Sequence, residues 1–301
     1  MKRIVSVSLG SSKRDHRADS IFSGEKCQIQ RMGTDGDVKK AIRLIKDLDG
    51  KVDAFGMGGI SLYLYGKNNH RYTLRSALPM LGAVNKTPIV DGSGLKNSLE
   101  ANVVRYLKEG LGIPLETMKV FMVCGMERFG MAEAFPRLGS RMVYGDIMFA
   151  IGLPVPIKTL KGLHEIAGLL MPIVGRLPLR MLYPSGQGQE QMKPKFESYY
   201  NDADIIAGDF LYIKKHMPMS LEGKIIVTNT ITERDLQLLK ERGAKMLVTT
   251  TPDVGGRSFG TNVMEAVVVA ILGKNPSTIT AKEYQRVLSD EAFRPRVVYF
   301  N

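Results

Sequence analysis

Residues Lys119–Asp146 read KVFMVCGMERFGMAEAFPRLGSRMVYGD, and this stretch decides the fold. Lys119–Cys124 is an almost uninterrupted apolar run, the pattern of a strand buried on both faces of a parallel sheet. It ends at Gly125. Gly130 follows five residues later, where apolar spacing predicts a helix over 130–138, stopped at Leu138-Gly139. A second strand over 141–145 leads to Asp146, 21 residues after Gly125. Strand, glycine turn, helix, strand and acid make the layout of a dinucleotide-binding βαβ unit. The first glycine makes the turn and the last admits close helix packing. Free N–H groups at the helix start hold a pyrophosphate, and the acid binds the ribose hydroxyls. On this reading Gly125, Arg128, Phe129, Gly130 and Asp146 hold a cofactor, NAD or NADP. Asp146 favours NAD, because a 2′-phosphate would meet a negative charge. The middle glycine of the pattern is replaced by Glu127, whose charge Arg128 offsets if it points inward. A plain βαβ turn without cofactor fits the same window.

The alternation continues on both sides. Downstream, strands are predicted over 203–208, 224–229 and 245–250, and helices over 160–174, 232–242, 261–272 and 280–288, with a loop over Pro184–Glu190. Upstream, strands over 4–9, 26–32, 52–56 and 88–90 alternate with helices over 37–48, 74–83 and 97–109. Strands alternating with helices predict an α/β protein built on parallel sheets. The turn-rich Gly110-Leu111-Gly112-Ile113-Pro114 divides it. Residues 1–115 are expected to form a smaller α/β substrate domain, and 116–301 a Rossmann-like dinucleotide-binding domain.

Ligands of open α/β sheets lie at the carboxyl ends of the strands. In the second half these ends are small and polar: Gly208-Asp209, Thr228-Asn229-Thr230 and Thr249-Thr250-Thr251. Asp209, Thr228, Asn229 and Thr250 are therefore candidates for the cofactor edge, with helix capping as the plain alternative. Gly255–Asn262 is a glycine-rich loop opening a helix, and its Arg257 can grip a carboxylate or phosphate with two parallel bonds. Upstream, Gly10–Arg14, Gly56–Gly59 and Asp91–Asn97 are glycine/serine loops that share one edge if their strands are parallel. Asp91 and Lys96 are candidates for a proton-transfer pair. Lys13, Arg14 and Asn97 join Arg257 as substrate-binding candidates, against the plain readings of an Asp turn and a solvated charge run.

Forty-two Lys and Arg against thirty Asp and Glu leave a net charge of +12 over 301 residues. The cations are scattered, with one dense cluster at Lys13, Arg14, His16 and Arg17. That disfavours nucleic acid and points to a small anionic ligand. No apolar run reaches the length of a membrane span, and the start reads as a strand rather than a secretion signal. Cys27 and Cys124 show no ligand spacing, the four histidines are unpaired, and no Ser elbow, Walker loop or zinc motif occurs. The expected setting is a reducing cytoplasm. A homodimer is compatible with the pattern.

The segments IVSVSLGSSKRD, VDAFGMGGISLYLY, TPIVDGSGLKNSLE, GMERFGMAEAF, ADIIAGDF and TTTPDVGGRSFGTNVMEA resemble bacterial proteins labelled quinate 5-dehydrogenase or shikimate dehydrogenase-like, nearly end to end. The resemblance implies a substrate domain followed by a Rossmann domain, and NAD(P)-dependent oxidation of a ring hydroxyl on a small hydroxy-acid in the cleft between them. The V-T-x-P-x-K and N-T-D-G segments of shikimate and quinate dehydrogenases are missing, so Asp91 and Lys96 are candidates by chemistry rather than by motif. A nucleotide-sugar-type transferase and a non-catalytic ligand-binding protein that retains the fold are the alternative expectations.

Overall fold

The computed structural model describes residues 1–65, 71–177 and 192–300; the loop expected at Pro184–Glu190 lies outside the described residues. In chain order the first half contains β1 (Lys2–Ser8), β2 (His16–Phe22), β3 (Glu25–Gly33), α1 (Val38–Leu48), β4 (Ala54–Gly58), β5 (Tyr63–Tyr65), β6 (Arg71–Thr73), α2 (Leu78–Leu81), β7 (Ile89–Val90) and α3 (Ser93–Glu109). Then follow β8 (Lys119–Met122), α4 (Phe129–Arg137), β9 (Arg141–Tyr144), α5 (Asp146–Ile151), α6 (Leu160–Val174), α7 (Glu197–Asp202), β10 (Ile205–Ala207), α8 (Phe210–His216), β11 (Ile225–Thr228), α9 (Glu233–Glu241) and β12 (Met246–Thr249). The chain closes with β13 (Asp253–Val254), β14 (Arg257–Ser258), α10 (Thr261–Leu272), α11 (Ala281–Leu288) and β15 (Val297–Tyr299).

Two sheets carry the α/β fold. The first runs β2-β3-β1-β4-β7, parallel except for the antiparallel β2. The second runs β15-β12-β11-β10-β8-β9, parallel except for β15 at its edge. The five parallel strands of the second sheet lie in the doubly-wound order 2-1-3-4-5, whose direction reverses between β8 and β10. In the first sheet the order reverses between β1 and β4. Each reversal opens a crevice at the carboxyl ends of its strands. The apolar strands carry these sheets because both of their faces are covered: β8 packs Val120 and Met122 into one core and Phe121 into another.

The division of the chain differs from a single cut near residue 115. The chain crosses between lobes three times. α3 is shared: Leu95 and Leu99 join the core of the first lobe, while Val103, Val104 and Leu107 join that of the second. The hairpin β13–β14 and helices α10 and α11 then return to the first lobe, where Val263, Met264, Val267, Tyr284 and Val287 pack with Ile4, Ile29 and Ala54. The reason is hydrophobic. Nine of the twelve residues of α10 are buried, so this helix has no solvent face and must be enclosed. It lies across β1 and β4, and the chain regains the second sheet only at β15.

That packing is tight. A Cβ on Gly56 would stand 2.9 Å from the backbone oxygen of Asn262, and one on Gly92 would stand 2.7 Å from the Asn262 nitrogen. Gly92 also has φ of +95°, which only glycine adopts without strain, and it caps α3. Glu265 is buried within α10, accepts from the Tyr284 hydroxyl at 3.2 Å, and is pushed up to about 8 by burial and by Asp91 nearby. A carboxyl whose folded pKa is raised favours the folded state below its unfolded value, near 4.5, and that contribution is lost as the pH rises through 8. Glu265→Gln should therefore flatten the fall in urea midpoint between pH 5 and 8 relative to the parent protein. Gly92→Ala should lower stability by about 2–4 kcal/mol in the same measurement, by forcing a Cβ into both a strained φ and a backbone contact.

Candidate functional site

The two crevices face each other across one cavity of about 420 Å³ between the lobes. Ser8, Gly10, Gly58 and Gly59 enter from the ends of β1 and β4, Asp209 and Asn229 from beyond β10 and β11, and Thr261 and Asn262 from the first turn of α10. The loops after β1 and β4 touch: Leu9 N–H donates to the Gly58 carbonyl at 3.0 Å, and a Cβ on Gly59, at φ +74°, would lie 3.1 Å from the Gly10 nitrogen. Asn262 fixes the start of α10 by donating to Ser6 Oγ at 2.9 Å.

Three arginines line one end. Arg31 Nη1 donates to Asp15 at 2.8 Å and Nη2 to Ser8 Oγ at 3.0 Å. Arg14 lies 3.4 Å from Asp235, a carboxylate shared with Lys214 at 2.9 Å. Arg257 donates to the Arg14 carbonyl and lies over the Phe259 ring at 5.3 Å. Burial, with the other two arginines, lowers Arg257 to about 9; burial lowers Arg31 to about 10. These cations have been stripped of water and crowded together.

The other end is mixed in charge. Lys96 Nζ stands 3.8 Å from Glu127 Oε1, joining α3 to the turn after β8. Behind them, buried Arg128 bridges Glu100 on α3 at 2.6 Å and Asp209 after β10 at 3.0 Å, and Asn229 donates to Asp209 at 2.9 Å. Burial pushes both carboxyls up. In Glu100 it prevails over Arg128. In Asp209 the guanidinium, with Asn229 and the Leu211 N–H, holds the pKa below the usual carboxylate range. Phe149, Tyr212 and His216 close this end; His216 stacks on Phe149 at 4.7 Å, and burial lowers its pKa.

Of the residues expected from sequence, Arg14, Arg257, Asp91, Lys96, Arg128, Asp209 and Asn229 do line this one cavity. Their partners differ from expectation. Asp91 accepts from the backbone of Leu62, Tyr63 and Ser93, an Asx turn that also ties down the segment after β4, while Lys96 turns to Glu127. Lys13 shares the turn of Arg14 but lies outside the cavity lining. Asn97 falls in the first turns of α3; its side chain is outside the described residues.

The glycine turn departs most. Asp146 does not face the cavity: it accepts from Gly125 N–H at 2.9 Å and Met126 N–H at 2.8 Å, consuming the donors a pyrophosphate would need. A Cβ on Gly125 would meet the Tyr144 ring at 2.9 Å, so this glycine serves internal packing. Phe129 stacks on His164 at 5.1 Å and, with Gly130, borders a separate groove between α3 and α4. The turn therefore does not fit a dinucleotide pyrophosphate. Thr228 and Thr250 are also buried away from the cavity, and Thr228 Oγ1 donates to the Gly208 carbonyl at 2.7 Å. Sequence reasoning missed Arg31, Ser6, Ser8 and Tyr212, while Thr261 falls in the Gly255–Asn262 loop it singled out. Only Arg31 offered a signal: a cation inside an otherwise alternating strand.

Arg128 stands between two carboxylates, the buried Glu100 and the part-buried Asp209. Arg128→Met should cost about 3–5 kcal/mol in chemical denaturation by leaving both without a counter-charge, and Glu100→Gln added to it should recover part of that loss.

No curated protein matches the chain in sequence. Among solved structures, it is similar to the hetero-hexameric glutamate dehydrogenase from Thermus thermophilus at 14% identity, over 96% of this chain and 73% of that one, with a TM-score of 0.42. It is similar to an NAD-dependent malic enzyme from Thermotoga maritima at 13% identity, over 84% of this chain but only 66% of the enzyme's length, with a TM-score of 0.31. It is also similar to an ABC transporter solute binding protein from Agrobacterium vitis, bound with alpha-D-tagatopyranose, at 9% identity over 99% and 95% of the two chains, with a TM-score of 0.39. Likeness at this level assigns no ligand and no residue. Residues 3–91 match a domain of unknown function, DUF8753. Residues 94–300 match a second, DUF8754, which covers more than half of the chain, and the protein belongs to that family.

Proposed function

We propose that the protein binds a small anionic metabolite in the cleft between its lobes. One observation carries this reading: Arg14, Arg31 and Arg257 converge with the glycine ends of β1 and β4 and the start of α10 on a single cavity. About 420 Å³ is the size of a small-molecule site. Cations and N–H groups at one end would seat the anion. Lys96 and Glu127, one from each side of the cleft, are then placed beside the remainder of the ligand as a proton-handling pair.

A second reading is an oxidoreductase acting on a quinate- or shikimate-like hydroxy-acid. The observation in its favour is that β10 and β11 end on the cleft, in Asp209 and in Asn229-Thr230. A nicotinamide cofactor would then have to lie across those ends, because the Gly125 turn is filled from within by Asp146.

Titration calorimetry against quinate, phenyl phosphate, glucose, NADH and NADPH tests the first reading. The first reading expects the anions to bind and glucose to give no heat. NADH and NADPH are anions too, so quinate-dependent reduction of NAD or NADP, followed by absorbance, is the outcome that would favour the second reading. Failure of every anion to bind would overturn the first.

A further inference from the structure

The arginine end of the cleft is built for more charge than a simple carboxylate carries. Arg14 comes from the turn after β1, Arg31 from β3 and Arg257 from β14, so three guanidinium groups approach from three elements. Lys214 adds a fourth cation through Asp235. Among the described residues, the acids in ion-pair contact with them number two, and both are already committed: Asp15 to Arg31 and the Gly33 N–H, Asp235 to Lys214, Arg14 and Thr232. Within ion-pair distance four cations face two carboxylates, and Asp35, held by the Ser12 N–H, acts on Arg31 from further off, so the corner keeps a net positive charge.

Arg257 is the least compensated. It is 4% exposed, yet among the described residues no carboxylate lies within ion-pair distance of it. Its Nε and the Nη2 of Arg14 are buried without a hydrogen-bond partner. Such atoms cost stability unless a ligand satisfies them. The first turn of α10 starts beside them with Gly260 as its cap, so no capping side chain takes its leading N–H groups. A planar carboxylate is satisfied by one guanidinium fork. Guanidinium donors from three elements and a helix start suit oxygens set tetrahedrally, with Arg31 held in place by Asp15, Ser11 and Ser8.

We propose that this end of the cleft is a subsite for a dianionic phosphate monoester group, seated between Arg14, Arg31, Arg257 and the first turn of α10. This rests on the reading of the cleft as a small-anion site and names the chemical class of the anion.

The test is calorimetry on the full chain at pH 7.5 and constant ionic strength, where a phosphate monoester is mainly dianionic. The probes are phenyl phosphate, its monoanionic methyl diester, and benzoate. Phenyl phosphate should bind at least about tenfold more tightly than either of the others. Arg257→Met should weaken phenyl phosphate by about tenfold or more, and should not lower the ligand-free unfolding midpoint, because it removes a desolvated, uncompensated cation. Arg257→Lys keeps the charge without the fork and should fall between the two; it supplies the comparison if the methionine variant does not fold. Benzoate binding as tightly as phenyl phosphate would overturn the phosphate assignment and leave the small-anion cleft standing. An unchanged phenyl phosphate affinity in both Arg257 variants would overturn it equally. No binding of any of the three probes would overturn the phosphate subsite, and failure of quinate as well would remove the small-anion cleft.

Discussion

The first turn of α10 lies against two glycines, Gly56 and Gly92, at a distance no larger residue permits. This contact sets the geometry of the molecule. α10 follows in sequence the strands of the second sheet, yet it is buried on the first. Because it is enclosed on nearly every side, it cannot be withdrawn without exposing a run of Val, Ala and Met side chains. The hairpin before it therefore carries Arg257 to the face where Arg14 and Arg31 emerge, and the helix start falls at the edge of the same cavity. The binding face is a consequence of where an apolar helix finds cover.

The opposite wall follows from another constraint, the satisfaction of buried donors. The turn after β8 exposes N–H groups at Gly125 and Met126, and a protein without a ligand there must supply an acceptor. Asp146 supplies it at 2.9 and 2.8 Å, although burial pushes its carboxyl up to about 6. With the donors filled from within, Arg128 is free to turn to Glu100 and Asp209, and so it ties α3 to the reversal point of the second sheet. The lobes are thus joined by a buried charge pair as well as by the shared helix. At the place where a doubly-wound sheet commonly opens to a ligand, this one opens onto its own arginine.

The sequence made the fold class legible because apolar strands alternate with amphipathic helices, and period alone identifies them. Thr232 and Asp235 form a reciprocal capping box at the start of α9, where the helix is expected from sequence. Less was visible where tertiary contact decides. The antiparallel β2 alternates half-buried and exposed residues and has little apolar signal. β15 is three residues long. The return of α10 to the first lobe depends on glycine clearances that no linear pattern displays. Asp146 shows the same limit at the site. An acid 21 residues past a glycine fits both a ribose ligand and an internal cap, and only the direction of its oxygens separates them. Arg14 and Arg257 stand in glycine-rich settings, whereas the signal of Arg31 is fainter: a cation in the same alternating phase as Cys27 and Ile29.

Folding by itself gives no reason to gather three guanidinium groups in one desolvated corner. Each pair of like charges is repulsive there, and burial lowers Arg257 to about 9 and Arg31 to about 10. Elsewhere the same chain balances its charges: Arg128 has two carboxylates, and Asp49, on the surface, takes three backbone N–H groups from Asn85, Lys86 and Thr87. The arginine corner is the exception, and it is also the part of the cavity where two glycine loops and a helix start leave room for something else. Uncompensated guanidinium charge beside an open cavity is the electrostatic setting that favours an anionic partner, because an anion there gains from both the charge and the reduced competition of water.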